Sequence, residues 1–192
     1  MDTPLSLIHE DDDLIVVNKP AGLVVHEDGR TDEVTLSELL LAAYPTLASV
    51  GGLHTLDSGR YVARNGIIHR LDRDTSGVIL VAKHDDAFYF FQRQFLDRTI
   101  VKRYLALVHG VPEPTQGVID LPIGRSRSDF RKWTTPPDAR GTLRKAVSTY
   151  EVRAVHDAYA FLSLLPKTGR THQLRVHLSA IGHPIVGDAR YG

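Results

Sequence analysis

A chain of 192 residues, 42% hydrophobic and 24% charged, is long enough for a real core and shows no collagen, coiled-coil or disordered bias. The absence of cysteine excludes disulfides, thiolate catalysis and thiolate zinc sites. Net charge is zero, with 23 basic and 23 acidic residues, so no global field calls for a polyanion partner.

The first thirteen residues carry five acids (Asp2, Glu10, Asp11, Asp12, Asp13) and no Lys or Arg, the reverse of a signal peptide. The apolar runs at 39–44 and 78–82 fall far short of the roughly 18 residues of a membrane span. A soluble, cytoplasmic protein with no membrane partner is expected. Charge is unevenly spread. Residues 1–38 hold ten acids against Lys19 and Arg30, whereas Arg125, Arg127, Arg131, Lys132, Arg140, Arg144 and Lys145 face only Asp129 and Asp138 over 125–145. The basic segment suits phosphates or is simply a solvated loop.

Residues 14–17 read as a strand entering a turn at Asn18-Lys19-Pro20-Ala21-Gly22, and 23–25 as a second short strand. Thr35 and Glu38 have capping-box spacing, so 35–44 is expected to be a helix. Residues 45–66 look like an irregular excursion. A buried strand over 78–82 precedes a helix capped by Asp85 or Asp86 and running to about Asp97, with Phe88, Phe91, Phe95 and Leu96 largely on one face. Residues 100–108 alternate as a strand with Lys102 and Tyr104 on one side. Residues 147–155 and 160–165 form a hairpin through His156-Asp157-Ala158, and 171–181 a helix closed by Gly182. The fold class is therefore α+β: a mixed, mostly antiparallel central sheet flanked by helices and loops, in one domain over 1–192.

Ionisable groups concentrate in Ile68-His69-Arg70-Leu71-Asp72-Arg73-Asp74-Thr75-Ser76-Gly77, directly before the buried strand. Such a cluster sits at the rim of a core, where burial and neighbours tune a carboxylate, or it is a salt-bridged turn capped by Asp74 or Thr75. No metal is expected. His172 and His177 are five apart and share no helical face, and His69 with Asp72 lacks a third ligand. Ser76 lies in no nucleophile elbow.

His69-Arg70-Leu71-Asp72-x-x-Thr75-Ser76-Gly77 resembles the signature of the RluA-type pseudouridine synthases (the RluA, RluD and RluC group). Three further segments agree, in order. They are Asn18–Gly22, Lys102-Arg103-Tyr104-Leu105-Ala106-Leu107-Val108-His109-Gly110, and Gly169-Arg170-Thr171-His172-Gln173-Leu174-Arg175-Val176-His177 running on to Gly182-His183-Pro184 and Gly187-Asp188. The resemblance spans about residues 7–192. Relatives of this type often carry an N-terminal S4-type RNA-binding domain, which nothing before residue 7 resembles. They usually continue beyond the Gly-Asp-x-x-Tyr-Gly element, so a shortened or naturally short catalytic domain is expected.

The resemblance implies an RNA uridine isomerase without metal or nucleotide cofactor, since cleaving the glycosidic bond, turning the base and rejoining it at C5 changes no oxidation state. Asp72 would be the essential carboxylate, either attacking covalently or removing a sugar proton to give a glycal. Arg175 would be its cationic partner. Tyr104 would stack on the base and help remove the C5 proton. Arg70 would fill the space of the flipped nucleotide and Leu174 would pack on the uracil. Lys19, Lys102 and Arg170 would meet phosphates. Ribosomal or transfer RNA is the expected partner, read by a monomer as a stem-loop. An idle RNA-binding relative is disfavoured because Asp72, Tyr104 and Arg175 are all present, and a carboxylate hydrolase would leave four ordered motifs to coincidence.

Overall fold

The structure, a computed structural model, describes residues 5–27, 33–55, 59 and 61–192. Asp2, Asp28, Arg30 and Asp32 of the acidic stretch and part of the 45–66 segment lie outside them. The chain divides into two compact units, Met1–Thr99 and Ile100–Gly192.

In the first unit β1 (Leu7–Glu10), β2 (Leu14–Lys19) and β5 (Gly77–Ala82) form an antiparallel sheet in the order β1-β2-β5. Ile15 and Val17 alternate inward on β2, and Ile79 and Val81 on β5; Leu36, Leu40 and Phe88 are buried in the same unit. Acids of the N-terminal stretch find partners: Glu10 accepts from Tyr44 and Lys83, and Asp13 contacts His84. Helix α1 (Leu36–Ala43) begins with the expected capping box, Thr35 N to Glu38 Oε2 at 2.8 Å and Glu38 N to Thr35 Oγ1 at 3.2 Å.

Residues 23–25 are not a strand. Their carbonyls serve other partners: Val24 O and Val25 O accept the first amides of α1, from Leu36 and Ser37, and Leu23 O accepts from Lys19. The 45–66 segment is more ordered than its composition suggests. It holds a 3-10 helix (Pro45–Ser49) and an antiparallel pair, β3 (Leu53–Thr55) with β4 (Tyr61–Ala63). Helix α2 (Asp85–Leu96) is capped by His84, whose ring accepts from Ala87 N at 3.3 Å, rather than by an aspartate. Phe88 is its fully buried anchor, and Leu96 faces solvent.

The second unit holds a four-stranded antiparallel sheet, β6-β12-β11-β7, built from β6 (Tyr104–His109), β7 (Gln116–Asp120), β11 (Val147–His156) and β12 (Tyr159–Pro166). Strand β6 starts four residues later than expected. Its pairing with β12 ends at Leu164, short of Pro166, which has no N–H to donate. The β11–β12 hairpin turns through Asp157, whose φ of 51° is left-handed. Val108, Ile119, Tyr150, Leu162, Leu164 and Leu178 form the core beneath α3 (Gln173–Ala180).

The basic segment is not a structureless loop. It folds as a second sheet, β10-β8-β9, from β8 (Ile123–Ser126), β9 (Trp133–Thr134) and β10 (Ala139–Arg144). Ile123, Ala146 and Val176 are its buried anchors, with Trp133 and Tyr191 packed against them. The Arg125 guanidinium lies 4.2 Å over the Trp133 ring. Among the described residues no helix is long and apolar enough to cross a membrane.

Candidate active site

The loop carrying Asp72 is held from both sides. Upstream it runs along β5: Ile67 bridges Val81, Ile68 N donates to Leu80 O at 3.2 Å, and Leu80 N donates to His69 Nε2 at 3.1 Å. His69 is thereby an acceptor at Nε2, and its ring stacks on Phe95 with centroids 4.8 Å apart. Leu71 is buried between Arg70, which is exposed, and Asp72, which is half-buried. Thr75 N donates to Asp72 O at 3.1 Å and closes the turn. The alternation therefore points Arg70 to solvent and keeps Asp72 at the rim of the core.

The Asn18–Gly22 turn grips the same loop. Arg73 O accepts both Gly22 N at 2.9 Å and Lys19 Nζ at 2.9 Å. Lys19 also donates to Pro20 O and Leu23 O, each at 2.8 Å, and has no solvent exposure. This corrects the expectation of a phosphate contact, because all three ammonium donors are spent on carbonyls inside the protein. Burial pushes the Lys19 pKa down, and the charges of Asp74 and Asp72 push it back up. Lys19 is thus a buried cation near both carboxylates of the loop.

The second unit places the remaining candidates around β6 and α3. Tyr104 opens β6 opposite Leu164, half-buried against the core. Lys102 precedes it, its Nζ beside Gly169, where an added Cβ would lie 3.9 Å away. Arg170 is half-buried, its Nε donating to Lys145 O at 3.1 Å. Leu174 is half-buried and packs against the four-stranded core.

Helix α3 begins at Gln173, two residues late, because His172 is left-handed (φ 55°, ψ 21°) and cannot continue a helix. Buried Gln173 fixes this start. Its Oε1 accepts from Thr168 Oγ1 and Arg170 N, and its Nε2 donates to Val147 O and Ser148 Oγ. Ser148 Oγ passes the chain on to His177 Nδ1 at 3.0 Å, and His177 Nε2 donates to Leu121 O at 3.0 Å. His177 is a neutral structural histidine, its pKa lowered by burial.

Arg175 lies in the first turn of α3 and pairs side-on with Asp188, Nε to Oδ2 at 2.7 Å and Nη2 to Oδ1 at 2.8 Å. Burial pushes the Asp188 carboxyl up, but Arg175 and the amides of Arg190 and Tyr191 outweigh it and hold it at about 2. The Tyr191 ring covers the guanidinium at 5.0 Å.

The sequence profile described as RNA pseudouridylate synthase matches residues 13–180. A human protein of solved structure, RNA pseudouridylate synthase domain containing 1, superposes with a TM-score of 0.76 at 30% identity, covering 98% of this chain and 70% of that one. The chain belongs to the RNA pseudouridylate synthase family. Family members similar to it include ribosomal large subunit pseudouridine synthase D of Zymomonas mobilis, 42% identical over the whole chain and 57% of that protein. Another is an uncharacterized RNA pseudouridine synthase of Synechocystis, 40% identical over 98% of the chain and 54% of that protein. The chain spans about half the length of the curated relatives it matches.

In this member of the pseudouridylate synthase family Asp72, Arg70 and Lys19 lie in the first unit, and Tyr104, Lys102, Arg170, Leu174 and Arg175 in the second. Beyond a place in the quoted motifs, the sequence reading assigned no role to Gln173, Asp188 or Tyr191. The Asp-x-x-Tyr-Gly spacing was the available signal for the last two.

Proposed function

We propose that the protein isomerises uridines in RNA to pseudouridine, with Asp72 as the essential carboxylate. The observation that carries this reading is a family match running through Asp72, Tyr104 and Arg175 together. Ribosomal RNA is the favoured substrate, because similar chains from Zymomonas mobilis and Nitrosomonas europaea are named ribosomal large subunit pseudouridine synthase D.

The bond from C1′ to N1 breaks, the uracil turns within the site, C1′ joins C5, the C5 proton leaves to solvent, and the freed N1 takes up a proton, so the product is an isomer. Asp72 attacks or deprotonates the sugar, Arg175 balances its charge, and Tyr104 stacks on the base and assists loss of the C5 proton. The exposure of Arg70, next-but-one to Asp72, supports its entry into the stack of the flipped nucleotide. Leu174 meets the uracil, and Lys102 and Arg170 meet phosphates. Electrons balance within the substrate, so no cofactor is required. A cytoplasmic monomer acting on a stem-loop completes the proposal.

RNA carrying tritium at uridine C5, isolated from cells lacking the gene, tests it. Wild-type protein should release tritium and Asp72→Asn should not. Equal release by both would remove Asp72 from the chemistry, and no release by either would remove the isomerase activity.

A further inference from the structure

A flexible arginine is a poor reagent until its guanidinium is fixed, and Arg175 sits where a cation is least welcome. It is the third residue of α3, whose first turn carries no acid, so the positive end of the helix opposes its charge. Two residues from the end of the chain answer this. Asp188, 4% exposed, receives Nε and Nη2 in the plane of the guanidinium, and the Tyr191 ring lies against its face. Both are themselves anchored. Asp188 Oδ1 accepts from Arg190 N and Tyr191 N. The Tyr191 hydroxyl accepts from Trp133 N at 3.0 Å and bonds His172 Nδ1 at 2.8 Å, and Ser179 Oγ holds Tyr191 O at 2.9 Å.

We infer that Asp188 and Tyr191 are positioning residues that fix the Arg175 guanidinium for the reaction. The inference rests on the role given to Arg175 under the proposed function. The clamp takes the Nε side of the fork. The clamp also ties Arg175 to β9 through Trp133 and to the left-handed residue that starts α3.

Two measurements decide it. The first needs no turnover: the Arg175 Nε–H signal of the full chain, assigned by its loss in Arg175→Lys, should be slow to exchange. It should become fast in Asp188→Asn and in Tyr191→Leu while the rest of the amide spectrum is kept. Fast exchange in the wild type would overturn the inference whatever the activity. The second is a double-mutant cycle on tritium-labelled RNA. Asp188→Asn and Tyr191→Leu should each lower kcat by at least about tenfold with little change in KM. In an Arg175→Ala background each should change it less than about twofold. Equal losses in both backgrounds would mark a general structural role and refute positioning. Full activity of Arg175→Ala would instead strike the reading of the site itself, and the inference with it. If Asp188→Asn does not fold, Tyr191→Leu carries both measurements.

Discussion

The Lys19 ammonium ends on the carbonyl oxygen of Arg73, the residue after Asp72 and 54 positions along the chain from Lys19. Two segments that look independent in the sequence are therefore one structural unit, a turn wrapped around a buried cation with the Asp72 loop as its third wall.

Lys19→Met should remove all three hydrogen bonds and leave Pro20, Leu23 and Arg73 carbonyls short of a donor. The expected cost is about 3 kcal/mol of unfolding free energy, read from urea denaturation. Lys19→Arg should not rescue it, because a planar fork does not match three converging carbonyls. A variant as stable as wild type would show that the buried ammonium does not hold the loop.

His177 makes stability depend on pH. Its folded-state pKa is lowered below the ordinary 6.5, so below that value the unfolded chain binds the extra proton first. Its contribution is complete above pH 6.5 and is lost as pH falls, by at most about 1.4 kcal/mol per pH unit. Tm should drop between about pH 7.5 and about pH 5.5. The drop should shrink in His177→Asn, and an unchanged slope in that variant would assign it to other groups.

Gly66→Ala should be severe. Gly66 has a left-handed φ of 73°, and an added Cβ would run into the carbonyl oxygen of Ala82, whose amide bonds Gly66 O. Strain and overlap together should cost on the order of 3 kcal/mol, measured by thermal unfolding. Gly141→Ala is the control, with a similar φ of 70° and nothing within 4 Å, and should lose only the smaller strain part.

Arg140, Arg144 and Lys145 are exposed on and just after β10. Replacing all three with serine should leave the melting curve nearly unchanged and weaken RNA binding. Three lost phosphate contacts would lower the slope of log affinity against log salt by roughly 2. An unchanged slope would return the basic sheet to an ordinary solvated surface.

Much of the fold was legible where local signals agree with their surroundings. The Thr35–Glu38 box, the apolar run at 14–17, and the hairpin at Asp157 need no distant partner to be read. Failures came where a remote group decides. Residues 23–25 have strand-like side chains, but their carbonyls go to α1 and Lys19. The 171–181 helix loses two residues to His172, whose ring bonds a tyrosine 19 positions away. The same holds at the candidate site. The family resemblance nominated Asp72, Tyr104 and Arg175 as candidates, but it could not show that Lys19 is sealed inside or that Asp188 holds Arg175. The sequence around 125–145 read as charge and turn residues, because β8, β9 and β10 are short and their pairing is non-local.

Trp133 is the chain's single tryptophan, half-buried on β9 with a guanidinium stacked on its ring and its amide bonded to Tyr191. Intrinsic fluorescence excited at the indole band is therefore a site-specific optical probe needing no label. A ligand that pulls Arg125 from the ring, or loosens Tyr191, would be visible as a change in emission.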